Sequence, residues 1–194
     1  MKIIDITGNP FSKFLNNGKT HEAIFSAFRK NELCQLYVRP VAEELIDFDY
    51  CSSYYCVSDW DVVNKFLLKS SECGKIIMRS NEICGKEVSQ YSLITNSSFL
   101  SKTGLLGLIR DFIWSTNIWR NQILKQWLIN QSPDLIFIDG GGDCYMYRIC
   151  LFVHNFLKIP IVYYVTDDYI LNACNTSIFQ KIHRYKLERI ITHV

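Results

Sequence analysis

Short runs rich in Ile, Val and Tyr alternate along this chain with longer segments of helical period, and that alternation constrains the fold more than any other feature. Apolar residues on neighbouring or alternate positions suit strands, and those stepping by three and four suit helices. Their regular exchange is the pattern of crossover units feeding a parallel sheet. Strands are expected at Ile3 to Thr7, Leu33 to Val38, Tyr54 to Val57, Leu135 to Asp139, Ile161 to Thr166 and Ile190 to the end, with a short one near Ile76 to Met78. Several are apolar on consecutive positions, which suggests burial on both faces. Helices are expected where polar residues can cap them: Thr20 before a run to Phe28, Ser58 before Asp59 to Leu68, and Asp143 before Tyr145 to Leu157. From Gly104 to Gln131, Leu105, Ile109, Phe112, Trp119, Ile123 and Trp127 keep to one helical face, with a break at Ser115-Thr116-Asn117. The rest of Ser70 to Phe99 reads as loops, and no internal repeat is visible. The expected class is α/β: a Rossmann-like open, mainly parallel sheet with helices on both faces, in three layers.

At 194 residues, 48% of them hydrophobic, the chain can bury the core of one ordinary domain. A formal net charge of +2, with Lys and Arg scattered, gives no reason to expect nucleic acid. Neither a secretory signal nor an apolar stretch long enough to span a bilayer is readable. The eight cysteines never form a Cys-x-x-Cys pair, and several sit inside apolar runs, so they read as reduced, buried thiols of a cytoplasmic protein.

Gly8 to Thr20 follows an apolar run and ends in Gly18-Lys19-Thr20, the letters that close a nucleotide-binding P-loop. Such a loop needs a glycine five positions before Gly18, where Lys13 stands, and Pro10 removes one amide donor. Leu135-Ile-Phe-Ile-Asp139 does look like the strand that ends in a magnesium-binding Asp, so a P-loop-like nucleotide-binding protein is the alternative reading. Glycine ahead of a helix still offers free N–H groups to an anion. Turn chemistry is the plainer explanation of Asn16-Asn17-Gly18.

In an open parallel sheet, ligands bind outside the carboxyl ends of the strands. Three such ends carry glycine or acid: Gly8 to Thr20, Asp139-Gly140-Gly141-Gly142-Asp143, and Thr166-Asp167-Asp168. The triple glycine allows a ligand close to the backbone. Paired acids at a strand end suit a general base, acceptors for sugar hydroxyls or metal ligands, while Asp143, Asp167 and Asp168 are also of the type that caps helices.

Met1-Lys-Ile-Ile-Asp-Ile-Thr-Gly-Asn-Pro-Phe11 with the later Asn17-Gly-Lys-Thr20, then Ser132-Pro-Asp-Leu-Ile-Phe-Ile-Asp-Gly-Gly-Gly-Asp143, then Leu157-Lys-Ile-Pro-Ile-Val-Tyr-Tyr-Val-Thr-Asp-Asp168, resemble the N-terminal, acceptor-side domain of a GT-B type glycosyltransferase of the retaining family 4 sort. The resemblance implies that Gly8, Asn17, Gly18 and Lys19 approach the phosphate or sugar of a nucleotide-sugar donor. It implies an acceptor cleft at Asp139, Gly140, Gly141, Gly142, Asp143 and Thr166, with Asp167 and Asp168 as catalytic candidates. Many relatives carry His where Thr166-Asp167 stands. Such enzymes need no divalent metal and no cofactor besides the nucleotide-sugar substrate, and their acceptor is a saccharide or a lipid-linked saccharide. They hold the donor mainly in a second, C-terminal domain that this sequence does not contain, so the chain is expected to be inactive alone, as a truncated domain or half of a split enzyme. A non-catalytic partner subunit, with an exposed apolar edge near Ile190 to Val194, is a further alternative.

Trp114, Trp119 and Trp127 lie among Arg110, Arg120 and Lys125, a grouping that suits peripheral contact with the inner face of a membrane. The favoured expectation is that the tryptophans pack the core while the cations stay solvated. His21, His154, His183 and His193 form no constellation by spacing and are expected at the surface or satisfied in the core. No Gly-x-Ser-x-Gly elbow supplies an esterase nucleophile.

Overall fold

A computed structural model describes residues 1–69, 72–79, 105–165 and 178–193. Thr166, Asp167, Asp168, Cys84, Cys174 and most of the expected loop segment from Ser70 to Phe99 lie outside the described residues. The strands are β1 (Ile3–Thr7), β2 (Leu33–Tyr37), β3 (Tyr54–Cys56), β4 (Lys75–Ile77), β5 (Leu135–Ile138) and β6 (Ile161–Tyr163). The helices are α1 (Asn16–Ile24), α2 (Asp59–Leu68), α3 (Leu105–Ser115), α4 (Gln122–Gln131), α5 (Cys144–Leu157) and α6 (Ile178–Ile191).

The strands form one sheet in the order β4-β3-β2-β1-β5-β6. Only the β3–β4 pair is antiparallel. The chain thus builds outward from β1 through β2 and β3, then returns to place β5 on the other side of β1. This is the expected Rossmann-like α/β architecture.

Side chains alternate between two cores because successive strand residues face opposite ways. Ile4, Ile6, Leu36, Tyr55, Ile136 and Ile138 pack under α3 to α6, with Trp114, Trp119 and Trp127 among them. Ile3, Leu33, Tyr37, Tyr54 and Phe137 pack on the other face against Phe11, Phe25 and Ile46. The tryptophans are core residues, as expected.

Four expectations are corrected. The segment from Ile190 continues a helix to Ile191: Leu187, Ile190 and Ile191 step by three and four, and all three pack against the larger core, so among the described residues no exposed strand edge arises there. Helix α1 begins at Asn16 with Leu15 as its N-cap, because the loop before it closes early and Thr20 falls inside the helix. The helical region of 105–131 does break, between Ser115 and Gln122, but its two halves turn different faces inward. Trp114, Leu124, Trp127 and Leu128 are buried, whereas Ile109, Phe112 and Ile123 are exposed. Strand β6 departs from burial on both faces, since it lies at the sheet edge with Val162 exposed.

Candidate functional site

The order of the strands reverses between β1 and β5, and a crevice opens at the carboxyl ends of such a pair because the two crossovers leave in opposite directions. Gly8 follows β1 there, and Asp139 to Gly142 follow β5. Two of the three strand ends singled out by sequence therefore meet at this reversal. The third follows β6, which runs parallel to β5, but its own residues are not described.

A polar chain runs beneath the reversal. Asp5, fully buried in β1, accepts hydrogen bonds from Gln35 Nε2 at 2.6 Å and from His21 Nδ1 at 3.0 Å. The other ring nitrogen, His21 Nε2, lies 3.4 Å from Asp139 Oδ2 at the rim. Gln35 also accepts the Phe11 amide at 2.8 Å, fixing the loop after β1. Both nitrogens of His21 face carboxylates, which requires both to carry hydrogen. Burial lowers the pKa of His21, but the Asp5 charge and the hydrogen bonds to Asp139 and Asp5 outweigh it, leaving it raised to about 10. His21 is thus an imidazolium bridging the sheet interior to Asp139, walled by Phe11, Phe25 and Phe137.

The available signal for this network was Asp5 and Gln35 themselves, polar residues inside apolar strands that need buried partners. Spacing among the histidines could not reveal it.

Asp143 precedes α5 but does not cap it with its side chain. Its carboxylate is drawn to the Arg110 guanidinium and accepts from the Tyr145 hydroxyl at 3.2 Å. Arg39, mostly exposed after β2, stands 4.0 Å from the same carboxylate, and Arg110 Nη1 lies 3.6 Å from Asp59. Two guanidiniums therefore border the rim, with Arg39 also lining Gly8.

The glycines divide by physical cause. A Cβ on Gly140 would meet the Tyr147 ring at 2.5 Å, and Gly141 has a positive φ of 54° that side chains resist. Gly18, inside α1, packs against the Pro10 carbonyl and Ser12 amide, which a Cβ would approach to 2.7 Å. Its Cα therefore faces the protein's own loop. Three loop amides are committed: Phe14 and Leu15 donate to Ser12 Oγ, and Phe11 to Gln35, so those three are not free to cradle an anion. The N-cap residue Leu15 makes no side-chain cap at the start of α1. Lys19 is exposed on the same helix. Nothing is described of the Asn17 side chain.

A second histidine is organised on the opposite face. His183, on α6, donates from Nδ1 to Asp111 Oδ2 at 2.7 Å and from Nε2 to the Gly142 carbonyl at 2.8 Å. The hydrogen bond to Asp111 is the main cause of a pKa raised to about 11, with Cys144 adding to it and burial opposing. Of the four histidines, His21 and His183 are built into networks, and the partly buried His154 faces the Ile159 carbonyl through Nδ1 at 2.8 Å.

The six described cysteines are buried and unpaired with one another. Among the described residues, no helix is long and apolar enough to cross a membrane. Comparison of the chain with protein families, with curated proteins and with solved structures finds no match in any of the three.

Proposed function

We propose that the chain is the acceptor-side domain of a glycosyltransferase, binding sugar and phosphate groups at the β1/β5 reversal. The observation that supports this most is the meeting of Gly8 and Asp139 at that reversal, with Asp139 tied through His21 to the sheet interior. A carboxylate held in this way suits a sugar hydroxyl, which needs an acceptor of fixed position. Arg39 and the amino end of the α1 dipole supply positive charge for a diphosphate. In this reading Asn17, Gly18 and Lys19 contribute through their place at the helix start, and Thr166, Asp167 and Asp168 through their sequence resemblance alone. Asp167 would orient or deprotonate the acceptor hydroxyl. The donor is a nucleotide sugar, the acceptor a saccharide or lipid-linked saccharide, and transfer requires a donor-binding domain in addition.

A thermal-shift panel tests the proposal. Ligands that bind only the folded chain raise Tm in proportion to the logarithm of their concentration. A nucleotide sugar or saccharide acceptor is expected to raise it in the wild type and not in Asp139→Asn. ATP with magnesium as the only stabilising ligand would replace the transferase reading with nucleotide binding of another kind.

A further inference from the structure

Asp111 from α3, Cys144 from the start of α5 and His183 from α6 bring an oxygen, a sulfur and a nitrogen within 4.8 Å of one another. Asp111 and Cys144 are buried, and the His183 side chain is about one-fifth exposed. The imidazole Nε2 donates to the Gly142 carbonyl at 2.8 Å, which leaves Nδ1 to face both Asp111 Oδ2, at 2.7 Å, and Cys144 Sγ, at 3.9 Å. Three atoms of the kinds that ligate metals converge, although the Cys144 thiol also lies 3.9 Å from the His183 carbonyl. A proton on Nδ1 answers only the N···O contact. It leaves Asp111 Oδ1 buried without a hydrogen-bond partner among the described residues, an expensive state for a carboxylate oxygen.

We propose that this cluster is a zinc site that pins α3, α5 and α6 together. The donor set is one that zinc takes: thiolate, imidazole and carboxylate. An imidazole ligand typically donates its other N–H to a backbone carbonyl, which orients the ring, and the bond from Nε2 to Gly142 is of that kind. Ordinary zinc bond lengths put ligand atoms about 3.3–3.6 Å apart. The Nδ1–Oδ2 contact of 2.7 Å opens slightly and the Nδ1–Sγ contact of 3.9 Å closes slightly to reach that geometry. Asp111 Oδ1 shares its carboxylate with Oδ2 and can lean on the same ion only as a second, longer contact, so the protein supplies three ligands and the fourth tetrahedral position is open. Coordination displaces the thiol proton of Cys144 and the Nδ1 proton of His183, so two protons leave for each ion bound. Its proposed role is to join three helices, and it stands or falls independently of sugar transfer.

The test loads the full chain with cobalt(II) as a zinc probe and with zinc(II) itself. A thiolate-to-cobalt charge-transfer band in the near ultraviolet is expected in the wild type. Zinc should bind at one ion per chain, raise Tm, and bind at least tenfold more weakly to Cys144→Ser and His183→Gln. His183→Gln keeps an amide donor on a partly exposed side chain, and circular dichroism checks that each variant is folded. If Cys144→Ser does not fold, the wild-type cobalt spectrum and His183→Gln decide. A cobalt spectrum without the thiolate band, or zinc affinity unchanged within twofold in His183→Gln, overturns the site and leaves a protonated His183–Asp111 pair.

Discussion

His21 carries its charge in a place where charge is costly, between Asp5 in the sheet and Asp139 at the rim. Removing one member of such a buried pair leaves the other uncompensated, so His21→Leu at neutral pH is expected to cost about 3–5 kcal/mol in urea unfolding. The pH dependence follows from the direction of its shift. The folded pKa, raised to about 10, lies above the ordinary value of 6.5, so the histidine contributes its full stabilisation below about pH 6.5. That contribution is lost as pH rises towards 10. Wild-type stability should therefore fall across this window more steeply than that of His21→Leu, and parallel curves would show that His21 is not the group responsible. Gly18 offers a steric test. Gly18→Val drives a branched side chain into the Pro10 carbonyl and Ser12, and an overpacking cost of about 1–3 kcal/mol is expected in the same assay. Loss of function in that variant would thus report loss of fold, whereas Asp139→Asn probes the rim.

The elements were legible wherever local chemistry agreed with tertiary packing. Ser58 and Asp61 form a reciprocal capping box at the start of α2, with Ser58 Oγ accepting from the Asp61 amide at 3.1 Å, and the sequence marks that boundary correctly. Ser58→Ala is expected to cost about 1 kcal/mol, measured by denaturant unfolding. The α5 boundary was legible for a weaker reason, since Asp143 marks the place while its carboxylate serves Arg110 instead. At the far end of α5, Lys158 sits at a left-handed φ of 59° where glycine is the common choice. Lys158→Gly should raise stability by about 0.5–1 kcal/mol, the relief of left-handed strain less the added freedom of the unfolded chain. One element assignment failed because a short apolar run does not reveal its period, and one helical face was misplaced. Ile190 and Ile191 read as a strand in isolation, yet with Leu187 they make a helical stripe. The break at Ser115-Thr116-Asn117 was expected, but the apolar face was carried across it in a single helical register, and the turn between Ser115 and Gln122 reorients the second half.

At the scale of the molecule, strand order was not readable from the sequence, because parallel neighbours are chosen by contacts far apart in the chain. The alternation of strand and helix gave the class, and only packing gave β4-β3-β2-β1-β5-β6 with its reversal at β1 and β5. That reversal converts Gly8 and Asp139, separated widely in sequence, into neighbours on one rim. The glycines of 140–142 were legible as unusual, but Gly140 and Gly141 answer first to the Tyr147 ring and to a left-handed turn. The central claim, that a sugar- or phosphate-bearing ligand seats at the reversal, is tested most directly by amide chemical-shift mapping of the 15N-labelled chain with UDP-glucose, GDP-mannose and saccharide acceptors. The account predicts shifts concentrated at Gly8, Arg39 and Asp139 to Asp143. Shifts concentrated at the amino ends of the strands, around Lys2, Ser53 and Asp134, or no shifts with any of these ligands, would contradict it.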